Sequence, residues 1–580
     1  MANLYVDASI GDDTRTKTTA QNSATPWATI QRAAWGSTDF DARVSAQAAA
    51  AGDTVYVAAG TYNHDGDVIT GSSQRFVPVY FTENAGSSGS PIVFQAVGTV
   101  TLTRTNGKGP LIGAYLRNYI EWRGAFTIDE ANAWSKSDTA PVVFNSCVGG
   151  VVDGAIVDGN DQAVHDDATA TLTIVSSSVA NPTVITTSAA HGLAAIITGT
   201  GELGLRIDGH SGSTPDLNVG IPGTGLYIVG SVLSDTTFTL LRADGGDNVN
   251  VTTGGTGGTL TLLRNSNHSC VRLEDATATI KNCSLTHGRT PHNPRNGAAI
   301  LTYRSGGTFE HNEISNCDTG IILKGGYALE ADHTSNWSGY TIRYNRISDI
   351  GRTDHLGNEN GIGVCIHVDG GGTSALPIKV YQNIIERTLG AACELHTFGA
   401  TLTWNEPQYV RFVNNTIVDA PMAFSQDQGG VDLVANASNI AQNNVCAQVP
   451  IAVGLAFTSN RTRWLFDHNV YHDGTSWVSG GTTYNTLADW KTGTSQDVTT
   501  GNGVASITSD PLFVDESGGN YRLQAGSPAR DLGVDVLDLQ GGGTTASIHA
   551  GAYVTGSETI GIESDTPAVE TPARIIIARA

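Results

Sequence analysis

Charge is scarce in this 580-residue chain. Only 15% of its residues are Asp, Glu, Lys or Arg, and the formal net charge is −23. No Lys/Arg-rich block interrupts the acidic balance, which excludes nucleic acid as a partner, because phosphate contacts need clustered positive charge. No apolar run approaches the roughly eighteen residues of a membrane span, so no membrane partner is expected. The seven cysteines, Cys147, Cys270, Cys283, Cys317, Cys365, Cys393 and Cys446, contain no pair at zinc-knuckle or CxxC spacing. Cys365, Cys393 and Cys446 lie in apolar runs and are expected to be buried free thiols. The opening MANLYVDAS enters a strand at once and shows no signal-peptide pattern. An extracellular or virion-associated location is still expected, reached by another route or after loss of a targeting segment. Coiled-coil heptads are absent too, which leaves a homo-oligomer open.

Turn residues are abundant, with 69 glycines, and one short pattern recurs over about 280–471. It reads FEHNEI, IRYNRI, VYQNII, FVNNTI, AQNNVC and FDHNVY. The shared asparagines are Asn312, Asn345, Asn383, Asn415, Asn444 and Asn469, at spacings of 33, 38, 32, 29 and 25. KNCSL fits the frame 29 residues earlier, with Cys283 in the Asn place. Such spacing marks repeated supersecondary units. Short alternating runs of Val, Ile, Phe and Thr between Gly, Asn and Asp make those units β rather than helical. A strand of three to five residues buries no face alone, so the units stack as a parallel β-helix. Asn at an internal bend suits it, because its amide donates and accepts along the stack.

Along the chain, 1–165 is expected to hold an N-terminal cap and the first coils, with Val151, Gly154 and Ile156 repeating the pattern with Gly for Asn. Thr25-Pro26 before WATIQRAA predicts a helix that covers the open apolar end, with Trp27, Ile30 and Ala33 or Ala34 on one face. A second helix is predicted at about 41–50. The register then stops, and 166–263 reads as a small inserted antiparallel β domain. Main coils at 264–475 carry the candidate site, further coils follow at 476–555 with a short helix at 487–491, and 556–580, ending in ARIIIARA, is a tail or capping strand.

In each unit a second strand precedes the Asn strand, and alternation sorts its side chains. Val271, Leu273, Leu301, Tyr303, Ile321, Leu323, Val364, Ile366, Val368, Cys393 and Leu395 are predicted inward. Arg272, Glu274, Thr302, Arg304, Lys324, His367, Asp369, Glu394 and His396 are then outward, with Gln426 and Asp427 below them. Stacked, these make one polar patch with two imidazoles beside carboxylates.

Paired carboxylates along an elongated face suit glycosidic-bond cleavage, in which one acid protonates the leaving oxygen and the other attacks or activates water. Glu394 is expected to be the acid/base, Asp369 the nucleophile or base, and His367 or His396 the tuning group. Arg304, Lys324, Glu274, Gln426, Asp427 and Trp404 bind substrate, with Tyr327, Trp337 and Tyr409 among the aromatic wall candidates. No cofactor is required. If the polysaccharide is a uronan, Lys324 or Arg304 instead removes a proton for β-elimination, and Asp369, Glu394 and Glu274 could hold Ca²⁺. A non-catalytic glycan-binding spike is the third reading.

LYVDASIGDD, PWATIQRAA, GDTVYVAAGTY, the NNTI-type coils and DPLFVD with YRLQAGSPARDLG resemble the right-handed parallel β-helix proteins of the pectate-lyase-like superfamily. The resemblance covers about 4–166 and 263–551 and implies an all-β solenoid with a capping helix and an inserted antiparallel β domain. It implies carbohydrate activity of the glycosidase, lyase or phage-depolymerase kind. Asp369 and Glu394 look like the Asp/Glu pair of some glycosidases of that superfamily, and Lys324 and Arg304 resemble in type the Lys/Arg pair of its lyases. The insert, with NPTVITTSAAHGL and SDTTFTL, is similar to small β modules of phage tail proteins.

Overall fold

The computed structural model of the chain describes residues 1–63, 82–103, 110–129, 140–159, 168–191, 203–219, 227–242, 248–264, 269–288, 297–324, 339–353, 359–367, 376–395, 409–426, 438–456, 461, 463–498, 505–536 and 548–563. They form an all-β, right-handed parallel β-helix. A representative coil runs through Thr319–Lys324, Tyr340–Arg343 and Arg346–Ile350 before the next coil begins at Ile362–His367. The first segments stack into an eleven-stranded sheet, and the other two join a twenty-one-stranded one.

The recurring asparagines form a buried ladder inside the coil. Asn312 donates from its backbone N–H and Nδ2 to Asn345 Oδ1 at 3.0 and 2.9 Å, and Asn345 does the same to Asn383. Asn383 bonds Asn415, Asn415 bonds Asn444, and Asn444 bonds Asn469 in the same way. Each Nδ2 also donates to a carbonyl of the preceding coil. All six side chains are fully buried. They satisfy backbone groups that the bend would leave unpaired.

The residue before each ladder position turns the chain with positive φ: Asn282, His311, Tyr344, Gln382, Asn414, Asn443 and His468 lie between 53° and 58°. Gly154 occupies this bend row at φ 85°, in register with Asn282, so the ladder position of its coil is Ala155 rather than Gly154. The glycine was selected for the left-handed bend.

At the N-terminal end the helix Ile30–Trp35 is capped by Thr29, whose hydroxyl accepts from Arg32 N–H. Thr25 and Pro26 stand outside it, and Trp27 bridges Val6 instead. Ile30, Ala33 and Trp35 of the helix, and Trp27 before it, join one core with Leu4 and Val6 of the first coil. No α-helix forms at 41–50, where only a 3-10 turn at Phe40–Ala42 appears. There Val44 and Ala49 N–H groups bond to Trp35 and Ala33 carbonyls, so they are not available for a local helix. Strands between Ala168 and Arg264 close into a separate antiparallel barrel with its own core around Phe238 and Leu240.

Beyond Ser476–Ser479 no further parallel strand joins the coil among the described residues, and a single parallel bridge, from Ile507 to Val470, extends it. The helix Leu487–Thr494, longer than predicted, covers the last coil with Leu487 and Trp490. Asp497 terminates the ladder: it accepts from Trp490 Nε1 at 2.8 Å and from Ser506 Oγ, which in turn accepts from Asn469 N–H at 2.8 Å. Residues 505–536 and 548–563 then run back along the outside as a strap. They reach Asn443 through Val534, Asn414 through His549 and Gly551, and Tyr344 through Gly561. The terminal ARIIIARA lies outside the described residues. All seven cysteines are buried and free, as predicted for Cys365, Cys393 and Cys446.

Burial raises the Asp497 carboxyl to about 6 against the hydrogen bonds of Ser506 and Trp490. The folded state therefore holds this proton more tightly than the unfolded chain. Its contribution is complete below the ordinary value of 3.8 and is lost as pH rises through about 6. Asp497→Asn is expected to flatten this part of the stability profile, by up to about 3 kcal/mol. Denaturant midpoints of both proteins across that range check it.

Candidate functional site

The eleven-stranded sheet carries two outward rows. One is Tyr115, Asn145, Glu274, Tyr303 and Lys324, in register on successive coils, with the backbone of His367 at the next register position. The other, two residues earlier in each strand, is Val143, Arg272, Leu301, Ile322, Cys365, Glu394 and Ser425. Between them lies the inward row Leu273, Thr302, Leu323, Ile366, Leu395 and Gln426.

These registers alter the sequence reading in three places. Thr302 points inward and Tyr303 outward, because Ile300 is the residue in line with Val271 and Ile321. The interior tolerates Thr302 because its hydroxyl meets Tyr340 OH at 2.9 Å. Arg304 is not in either row: it sits at the bend with φ 46°, and its guanidinium forks onto both oxygens of Asp275 at 2.7 Å. Gln426, expected on the outer face, is aligned with the core residues Leu395 and Leu455 and is 3% exposed.

Glu274 and Lys324 do share an outward row, and the His367 position continues it. Glu394 stands in the adjacent row, partly buried between Cys365 and Ser425. By strand geometry His367 and Glu394 have Cα atoms roughly 8 Å apart, and Lys324 and Glu394 roughly 12 Å. Glu394 pairs in register with Cys365 of the preceding coil. Asp369, His396, Trp404 and Asp427 themselves lie outside the described residues, as do Val368, Tyr327 and Trp337.

The described part of the site centres on Tyr303. Arg272 stacks over its ring at 4.7 Å, and Lys324 Nζ lies 5.6 Å from the ring centre. Glu274 is held by Arg272 Nε at 2.6 Å on one oxygen and by Asn145 Nδ2 at 2.6 Å on the other. Arg272 is 6% exposed, and its Nη1 has no hydrogen-bond partner among the described residues. Leu301, Ile322 and Cys365 are buried although they face away from the coil interior, so Glu394 ends an apolar strip.

Another outward row shows what a purely structural ladder looks like. Arg123, Asp153, Lys281, Glu310 and Arg343 alternate in sign down the larger sheet. Lys281 lies 3.2 Å from Asp153 and Arg343 2.7 Å from Glu310. The row at Tyr303 lacks that alternation. Tyr303 was missed because a tyrosine in an apolar run reads as core, and Arg272 because one arginine carries no spacing signal.

Of the three carboxylates expected to hold Ca²⁺, Glu274 accepts one hydrogen bond on each oxygen, and Asp369 lies outside the described residues. Among the described residues no group of three or more His, Cys, Asp and Glu could hold a metal. None of their helices is long and apolar enough to cross a membrane.

Residues 259–446 match the family model described as a right handed beta helix region. No curated protein matches the chain. Among solved structures, the chain is similar to the pectate lyase Pel9A at 9% identity and TM-score 0.45, covering 95% of this chain and 96% of that one. It is similar to XylC in complex with xylose at 12% identity and TM-score 0.31, covering 82% and 69%. The Gp54 tailspike of Acinetobacter baumannii bacteriophage AP22 matches at 9% identity and TM-score 0.18, covering 73% and 70%.

Proposed function

We propose that this protein is a glycoside hydrolase that degrades an extracellular or cell-surface polysaccharide. The supporting observation is the register-locked outward row Asn145, Glu274, Tyr303 and Lys324, with the His367 position next in register, beside Glu394, which gives a chain lying along the solenoid a polar contact at successive coils. In this reading Glu394, at the end of the apolar strip, is the general acid. Asp369 is the second carboxylate, assigned from the sequence pattern. Tyr303, Lys324 and Arg272 orient sugar hydroxyls and ring faces. His367 and His396 adjust the charge around the acid.

A second reading is favoured by one observation, the pair of cations on Tyr303 with an unpartnered Arg272 Nη1. Such an arrangement suits a carboxylate on the sugar, and the enzyme is then a uronan lyase. Lys324 is the better base of the two basic candidates, because the Arg304 fork is committed to Asp275.

Incubation with a panel of neutral and acidic polysaccharides tests both. New reducing ends without unsaturated-uronate absorbance support hydrolysis, and both signals together support elimination. Neither signal across a broad panel overturns the enzymatic reading in favour of a glycan-binding spike. A chelator arm is expected to leave turnover unchanged.

A further inference from the structure

The returning strap covers two chemically different surfaces. Its first part packs Phe513, Tyr521, Leu532 and Ala552 against the outward residues Ile384, Val418, Val445 and Val470. This contact is apolar apart from Tyr521 OH, which bonds Glu386. Its last part lies over charge. Gly561 N–H donates to Tyr344 carbonyl at 2.7 Å, Glu563 N–H donates to Asn282 Oδ1 at 3.3 Å, and the Glu563 carboxylate is 3.3 Å from His311 Nε2.

Glu313 lies directly beneath Gly561. A Cβ at residue 561 would come within 2.0 Å of Glu313 Oε1 and displace that carboxylate, and the φ of 87° favours glycine there. Glu313 pairs in register with Arg346 on the next coil, but that guanidinium is taken by Glu386, which Arg346 Nε and Nη2 both reach at 2.7 Å. Glu386 also holds Arg387 at 2.7 Å and the strap's Tyr521 OH at 2.5 Å, and Arg387 forks onto Asp349. Two carboxylates thus compete for Arg346, and Glu386 wins. Among the described residues Glu313 has no cation within ion-pair distance.

We propose that Glu313 is a proton-operated clasp: protonated, it lets the 556–563 end of the strap seat over His311 and Tyr344, and ionised, it releases that end while the apolar part stays docked. Burial first, and then the charge of Glu386, raise the Glu313 carboxyl to about 7 against the pull of Arg346. The seat is therefore favoured below the ordinary value of 4.5 and lost as pH rises through about 7. The Glu563 carboxylate faces His311, and the strap's own Arg522 lies 4.3 Å from the Tyr553 ring and donates to the carbonyls of Gly556 and Glu558, so it stays with the strap. Release would bare the bend row at Asn282, His311 and Tyr344, away from the Tyr303 sheet.

Amide hydrogen exchange on the whole protein, corrected for intrinsic rates, tests this. Peptides covering Gly561 and Glu563 should lose at least about tenfold protection between mildly acidic and mildly alkaline buffer, while peptides covering Tyr521 keep theirs. Glu313→Gln should stay protected in both buffers. Gly561→Ala should be unprotected in both, which keeps the test valid if Glu313→Gln fails to fold. Equal protection of the wild type in the two buffers, or pH-dependent release in Glu313→Gln, overturns the clasp.

Discussion

Replacing Glu394 with glutamine is expected to reduce turnover by roughly 10²–10⁴-fold, the usual contribution of a general acid. The change keeps the side chain's size and polarity but removes the proton that a leaving glycosidic oxygen needs. Its surroundings argue that the loss would be chemical rather than structural. Glu394 is an outward residue of Ala391–Leu395, whose inward Cys393 and Leu395 belong to the core. Thermal midpoint and circular dichroism should therefore match the wild type while activity falls. Full activity in Glu394→Gln would remove it from the mechanism. Lys324→Ala separates the two reactions: elimination loses its base and stops, whereas hydrolysis keeps its acid and suffers mainly in substrate binding.

Asn383→Ala is expected to destabilise the solenoid strongly, by about 3–5 kcal/mol. Asn383 Oδ1 accepts from Asn345 N–H and Nδ2, and its own Nδ2 donates to the carbonyls of Ile342 and Tyr381 and to Asn415 Oδ1. Alanine would leave the buried Asn345 backbone N–H without its acceptor and the Ile342 carbonyl and Asn415 Oδ1 without the Nδ2 donor, in the middle of a run where neighbouring asparagines are bonded to one another. The cost should exceed that of the same change at Asn312, where the first rung receives from Cys283 N–H alone. Urea unfolding of the two variants measures the difference, and equal, small losses would mean that the ladder is incidental to stability.

The ladder was legible because it repeats: one residue type, flanked alike, recurs at coil spacing, and stacking in a parallel β-helix is the physical consequence. Features that do not repeat were harder. The inward turn of Thr302 depends on a hydroxyl of Tyr340, 38 residues further on, and alternation alone assigns the tyrosine beside it to the core. Gly154 was mistaken for a ladder residue because the bend and the ladder occupy adjacent positions, and glycine serves the first. The strap has no periodicity, since each of its contacts is made to a different coil. At the candidate site, the types of residue were readable but their rows were not. Whether Glu394 stands beside His367 or opposite Cys365 depends on a register set by the buried neighbours Ile366 and Leu395.

The most direct measurement is the mass balance of a digest. On the first polysaccharide shown to be cleaved, the summed mass of the products is compared with that of the substrate, for the wild type and for Glu394→Gln. Hydrolysis by Glu394 predicts one added water for every bond cut by the wild type and almost no products from the variant. Products that sum to the substrate mass, with no water gained, or undiminished cleavage by Glu394→Gln, would contradict it.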